Sequence, residues 1–547
     1  MFDFKDLKNK PYINNNLKQI REEYKKFRDM SLPELEDALF DSFYITGQRI
    51  EYEKRYFARR GALLMSAVMS LVYGETEHIE ALKKNLNAIC EEKTWALPAH
   101  TPKGETHPER VIDLFAAETG HALVEICEFI GDAIPDELSE KIRYEVRRRI
   151  IDPFIEVSFS WERETNNWAA VCGGAVGMTF LHAFRESFGL VEKRIIDTLE
   201  CYISGFGDDG ITTEGMGYWS YGFWYFTGFA DMYKKYCGVD LMARPKVKRI
   251  AMCQQNMFLC GETVISYGDC MKEERYNRTL AHYYRNLYGN DIKIISDKLS
   301  SGIDECYRIL PCLRTLMWTD QRLISIKESM EVESYFCDCQ WYVNRRYDLA
   351  FTAKCGNNGG SHNHNDIGSF IIADGKGQLI ADYGSGEYTH DYFSNRRYEF
   401  AVNSSRGHSV PIIDGEYQCA GEEYKGRVIR EEKGLFEIDI AGAYAADLKS
   451  LRRRFTVNSC GVELNDSFVF DDDNTHHITE RFISVIKPEM RGKTAYIGEL
   501  MLECNAAPVI TAEKIRNHFG QEDAIYYIDY IANDDFKIKF TYIKDAR

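Results

Sequence analysis

The hydrophobic period of this chain changes once, near residue 330, and that change limits the folds open to it. Before it, apolar residues recur at helical spacing. In ERVIDLFAAETGHALVEICEFIG (109–131), Val111, Phe115, Leu123, Ile126 and Ile130 share one helix face. SEKIRYEVRRRIIDPFIE repeats the pattern with Ile142, Val146 and Ile150, before Pro153 bends or stops it. After about 335 the period is two. WYVNRRYDLAFTAKCG, GSFIIADGKGQLIADYG, LFEIDIAGAY and IYYIDYIANDDFKIKFTYI are aromatic and β-branched runs cut by Gly, Asn and Asp. ADGKGQ reads as a tight hairpin turn. Helices followed by strands predict an all-helical domain over 1–330 and an antiparallel β-sandwich over 331–547. A chain of 547 residues exceeds one ordinary core, which agrees with two large domains.

The formal charge of −17 argues against general binding to nucleic acid or to an anionic membrane. An anionic substrate remains open, provided its site gathers positive charge locally. The doublets Arg345–Arg346 and Arg396–Arg397 are candidates for that, or else solvated surface charges. The N-terminus lacks the basic and apolar regions of a signal peptide, and GALLMSAVMSLVYG (61–74) is too short to span a bilayer. Sixteen cysteines without metal-finger or paired spacing read as reduced thiols, so a cytoplasmic protein is expected.

Three stretches carry candidate chemistry. In SHNHNDIGSF (361–370), two histidines stand at i, i+2. On an extended strand they face the same side. With Asp382 from LIADYG and His408 from SSRGHSV, they offer two imidazoles and a carboxylate for a divalent metal, zinc first by ligand type. Asp366 is then a candidate to orient one ring. The alternative is a set of hydrogen-bonded core histidines. In ETNNWAAVCGG, one of Asn166 and Asn167 is expected to cap a helix and leave the other amide free beside Trp168. In TTEGMGYWSYGFWYF, Tyr218, Trp219, Tyr221, Trp224 and Tyr225 are either core or the wall of a sugar-stacking cleft. The literal G-x-G-x-x-G at 205–210 follows a helical segment and contains two aspartates, so it reads as a turn between helices rather than a nucleotide site.

Taken in order, NNWAAVCGGAVG, GITTEGMGYWSYG, HNHNDIGSFIIADGKGQLIADYG and RRYEFAVNSSRGHSVPIIDGEYQ resemble the heparinase II/III-like polysaccharide lyases over about 90–520. The resemblance implies an incomplete (α/α) toroid followed by an antiparallel β-sandwich. It also implies β-elimination on glycans that contain uronic acid, with glycosaminoglycan fragments the leading class. That reaction needs the sugar carboxylate neutralised, a base for the C5 proton and an acid for the departing O4. Carried across, Asn167 looks like the carboxylate-neutralising amide and Tyr218 like the tyrosine that protonates the leaving oxygen. Tyr221, one turn on, is the alternative. His362 looks like the base or a carboxylate-binding imidazole, and Tyr398 like a second catalytic phenol. His364, Asp382 and His408 look like ligands of a structural metal. Asn166, Trp168, Trp219, Tyr221 and Arg396 are the expected substrate-binding side chains. Two rival readings stand beside this one. A glycoside hydrolase would use the carboxylate pair Glu164 and Glu214; a carbohydrate-binding protein would keep the metal site without turnover.

Overall fold

The computed structural model describes residues 2–345 and 349–543. Contacts divide the chain into two compact units: 1–205, 220–248 and 277–328 in the first; 206–219, 249–276 and 329–547 in the second. Two segments from within the expected helical half, 206–219 and 249–276, therefore pack with the sheets. Hydrophobic period cannot reveal this, because it reports local conformation and not partners.

The first unit is helical. Its core includes Ile50–Val72, Leu114–Ile130 and Asn167–Ala183, each with a long buried face. Leu123 and Ile126 are buried as the helical spacing requires, whereas Val111 precedes the helix, which begins after its cap at Asp113. Asn167–Ala183 is almost wholly buried because its residues are small. A Cβ on Gly174 would stand 2.7 Å from the carbonyl oxygen of Tyr225, so only glycine allows that approach. Pro153 falls in the first turn of a short helix, Asp152–Glu156, and a π-helical turn over Arg147–Ile151 precedes it. The π turn thus lies just before the residue that lacks a backbone donor, and the helical run continues through Pro153 rather than stopping at it. The glycines at 205 and 210 form a turn after the helix Glu192–Ser204, consistent with the turn read from the sequence. No helix among the described residues is long and apolar enough to cross a membrane.

The second unit is built on antiparallel sheets of five, eight and four strands. Glu333–Phe336, Trp341–Asn344, Ala350–Lys354, Phe370–Asp374 and Gly377–Ile380 run in sequential order in the first sheet. The predicted hairpin lies between its last two strands, where Asp374 pairs with Gly377. In the eight-stranded sheet, Leu448–Asn458 pairs with Gly461–Phe470, and that strand pairs with Asp535–Tyr542. Tyr342, Phe351 and Phe370 from the first sheet share one core with Phe436, Leu464 and Phe540 from the second and Phe482 and Ile528 from the third. Inward residues alternating with outward ones on each strand produce this packing.

Arg345 is not a free surface charge: its guanidinium donates to the carbonyls of Phe258 (2.7 Å) and Asn256. Arg346 lies outside the described residues.

Candidate active site

The site in the second unit forms around a carboxylate that no motif announced, Asp269. Two turns lock there. The backbone N–H of Asp269 donates to the carbonyl of His362 at 3.2 Å. Gly268, at φ +75°, permits the approach, because a Cβ on it would stand 2.8 Å from that same carbonyl oxygen. Oδ2 of Asp269 lies 2.8 Å from Nδ1 of His362, and Oδ1 lies 3.0 Å from Nε2 of His364. Arg397 donates to Oδ2 at 2.8 Å, and the Tyr392 hydroxyl donates to Oδ1. Burial alone would raise the pKa of Asp269. The hydrogen bonds from His362 and His364, with the charge of Arg397, instead hold it far below the usual carboxylate range.

This geometry corrects the reading of 361–370 as an extended strand. The segment is a turn, and His362 adopts φ +53°. The two imidazoles converge on one carboxylate through tertiary contacts rather than through a period of two. Asp366 orients neither ring, because it pairs with Lys354; Asp269 takes that role.

Tyr218 stands in the first turn of the helix Met216–Cys237. Its ring stacks on His362 with centroids 4.4 Å apart and planes 27° from parallel. Its hydroxyl lies 2.6 Å from that of Tyr388. Burial pushes the Tyr218 pKa well above that of a free phenol, so the group holds its proton through neutral pH. Nδ1 of His362 faces a carboxylate and therefore carries hydrogen, which leaves Nε2 with a lone pair. The exposed ring of Phe393 meets the His362 ring edge to face, 6.3 Å away. A fixed base nitrogen, a protonated phenol stacked on its ring and a flat apolar surface are what acid–base work on a sugar requires.

Below His364 lies a second cluster. His364, Asp382 and His408 are fully buried, and one donor atom from each falls within 4.8 Å of the others. Nε2 of His364 faces Asp269 and Nε2 of His408 faces the carbonyl of Val402 at 2.9 Å. Both protons are thereby assigned to Nε2. The Nδ1 lone pairs of both rings then face Asp382, with the Nδ1 of His408 3.1 Å from Oδ2. Three acceptors confronting one another in a dry interior fit a bound cation.

In the first unit, Asn166 is the cap: its Oδ1 accepts from the N–H of Trp168 at 3.0 Å, and its Nδ2 donates to Glu164. Committed to the helix end, it is not the free amide. Asn167, 3% exposed, is the first residue of the helix. Trp168 is half-buried. Trp219, expected at the substrate, is instead core: it is 1% exposed and its indole N–H donates to Ile250 at 2.9 Å. Trp224 and Tyr225 are buried as well. Tyr221 packs beneath the guanidinium of Arg308, 3.8 Å from its ring centre, which removes it as the alternative to Tyr218. Arg396 is a surface residue paired with Asp391 at 2.7 Å and Glu399 at 2.8 Å, and its neighbour Arg397 is the one that reaches the site. Tyr398, on the short turn Arg397–Glu399, is half-buried, while Tyr388 and Tyr392 supply the phenols close to His362 and Asp269. Of these, only Arg397 was signalled, as one half of the arginine doublet read as local positive charge; Asp269 carried no signal.

Comparison with known proteins agrees with this architecture. No curated protein sequence matches the chain. Residues 333–520 match the family model described as heparinase II/III-like, C-terminal. Among solved structures, heparinase III aligns with 99% of this chain and 92% of its own, at TM-score 0.63 and 13% identity. Heparan sulfate lyase HepC from Pedobacter heparinus aligns over 98% and 88% at TM-score 0.58 and 10% identity. Chondroitin AC lyase from Streptomyces coelicolor A3 aligns over 98% and 80% at TM-score 0.55 and 10% identity. The helical-then-sandwich class expected from the motifs is the fold these structures share with the chain. Residues 333–520 thus match the heparinase II/III-like C-terminal model, on a chain whose fold matches that of heparinase III along nearly its whole length.

Proposed function

We propose that this chain is a polysaccharide lyase that cleaves uronic-acid glycans, of the glycosaminoglycan class, by β-elimination. The observation that carries the reading is the Asp269–His362 pair stacked against Tyr218. Solved glycosaminoglycan lyases of the same fold support it, and so does the domain match over 333–520. In the reaction, Nε2 of His362 takes the C5 proton, and the C5–H electron pair becomes the C4–C5 double bond. The C4–O4 bond breaks and Tyr218 gives its proton to O4. Asp269 stabilises the imidazolium formed at His362. Asn167 is assigned to the sugar carboxylate.

The donor set of His364, Asp382 and His408 suits a divalent cation, zinc foremost by ligand type. Such an ion would tie together the loops bearing the three ligands, and His364 would transmit that rigidity to Asp269. Action on imported oligosaccharides in the cytoplasm belongs to this reading, supported by sixteen free cysteines.

The test is incubation with a panel of uronate oligosaccharides while recording the ultraviolet absorbance of the unsaturated product. Tyr218→Phe and His362→Ala are each expected to lower kcat by about 10²- to 10⁴-fold. Unchanged turnover in both would remove the assignment. Product mass separates elimination from hydrolysis by Glu164 and Glu214, since hydrolysis adds water.

A further inference from the structure

Two phenylalanines of the second unit stand in solvent: Phe393 is 54% exposed and Phe519 50%. Single exposed apolar rings are ordinary on protein surfaces. These two are joined to the site by an unbroken run of aromatic contacts. Phe393 meets His362, and its ring centre is 4.8 Å from that of Tyr388. Tyr388 meets His518 at 4.4 Å, and His518 meets Phe519 at 5.4 Å. All of these rings belong to the same unit.

Both phenylalanines ride on turns with their own internal bonds. Phe519 lies between the strands Val509–Arg516 and Glu522–Ala532. Oδ1 of Asn517 accepts from the N–H of Phe519 at 3.0 Å and from that of Gln521 at 2.9 Å, and Gly520 supplies the left-handed residue at φ +73°. A bridge between Asn517 and Gly386 ties this turn to the segment that carries Tyr388. Phe393 ends the short turn Asp391–Phe393. A polar side chain would serve either turn as well, so folding does not call for an exposed ring at either place. Arg396 and Arg516, on the same segments, are already committed, the first to Asp391 and Glu399 and the second to Glu387. Flat apolar faces are therefore what this surface offers a ligand.

The lyase reading gives the surface a direction, and this inference rests on it. Tyr218 hands its proton to O4, the oxygen that leaves with the sugar on the non-reducing side of the broken bond. The Tyr388 hydroxyl lies 2.6 Å from that of Tyr218, so the run of rings extends from the place of the departing sugar. A pyranose has a face lined by C–H bonds, which can lie on an aromatic ring while the hydroxyls stay in water. We propose that Phe393 stacks on the departing sugar and that Phe519 stacks on the next residue towards the non-reducing end. The enzyme thereby prefers internal bonds of a glycan to the bond nearest its non-reducing end.

The experiment compares kcat/KM on three substrates that each contain one cleavable bond. They are a hexosamine–uronate disaccharide, the trisaccharide that adds a uronate at its non-reducing end, and the trisaccharide that adds a hexosamine at its reducing end. The wild type is expected to gain about 3- to 10-fold from the non-reducing addition, the size of one aromatic stacking contact. Phe519→Ala is expected to erase that gain and to leave the ratio for the reducing-end addition as it was. Phe519→Tyr keeps the ring face and is expected to keep the gain. Phe393→Ala is expected to lower kcat/KM on all three by about 3- to 10-fold. A wild type that gains nothing from the non-reducing addition, or a gain that survives Phe519→Ala, overturns the inference and leaves the lyase reading intact. So does a Phe519→Ala variant that loses both additions equally. A wild type that forms unsaturated product from none of the three, nor from any other uronate, removes the lyase reading and this inference with it.

Discussion

Each unit of the molecule buries a triplet of two histidines and one carboxylate, and the two triplets differ in what faces the carboxylate. In the sheet unit, His364, Asp382 and His408 meet with no lysine or arginine in ion-pair range of Asp382 among the described residues. In the helical unit, His121, Glu125 and His182 lie within the same 4.8 Å limit, yet Arg314 stands 2.6 Å from Oε1 of Glu125. Burial would raise the pKa of Glu125, but the charge of Arg314 pulls it well below the ordinary value. Burial pushes the imidazole of His121 down to about 3, so it stays neutral. A buried carboxylate needs a compensating positive charge or hydrogen-bond donors. The helical triplet contains one permanently as a guanidinium. The sheet triplet has no such guanidinium among the described residues, and it is the one proposed above to take an ion. Residue types at metal-ligand spacing therefore do not define a metal site until the fourth neighbour is known.

The comparison can be broken most sharply at Arg314. Replacing it with Met strands Glu125 and is expected to cost about 3–5 kcal/mol in urea unfolding; a loss near zero would show that the guanidinium is not the balancing charge. Next is metal content. The wild type is expected to hold one divalent ion per chain, lost in His408→Ala and kept in His121→Ala, as read by elemental analysis. Chelation should lower stability by about 2.7 kcal/mol where the free ion had been 100-fold above its Kd. Retention in His408→Ala, or loss in His121→Ala, would reverse the assignment. The most gradual effect, spread over several pH units, is on pH. His121 binds its proton less readily folded than unfolded, so its contribution is complete above 6.5 and is lost as pH falls towards about 3. The slope is at most about 1.4 kcal/mol per pH unit. His121→Gln should flatten that acid limb in thermal or urea melts.

The same contrast between residue pattern and neighbourhood runs through the candidate site. The period change, the hairpin at Asp374–Gly377, the helix cap among the two asparagines and the grouping of His364, Asp382 and His408 were all legible. They depend on local conformation or on side-chain chemistry carried by a motif. Asp269, Tyr388 and Tyr392 were not legible, and Arg397 only as half of a doublet, because their importance lies in distances closed by turns far apart in the chain. Arg396 was chosen where Arg397 acts, since one step along a short turn swings a side chain from solvent to site. Trp219 was placed at a sugar when its indole is satisfied by Ile250 in the interior. Aromatic density alone cannot separate those two fates.

By itself the sequence determined a helical part followed by antiparallel sheets, an acidic chain, and an inventory of amide, phenol and imidazole suited to a uronate. Alternation of apolar residues and the intrinsic chemistry of side chains carry that much, because both are properties of short stretches. Only the tertiary structure decided which carboxylate holds His362, which phenol lies against it, and which of two similar triplets keeps its lone pairs open. Those outcomes depend on burial and on neighbours within about 3 Å, where hydrogen bonds and ion pairs act, and such neighbours come from segments that no local pattern connects.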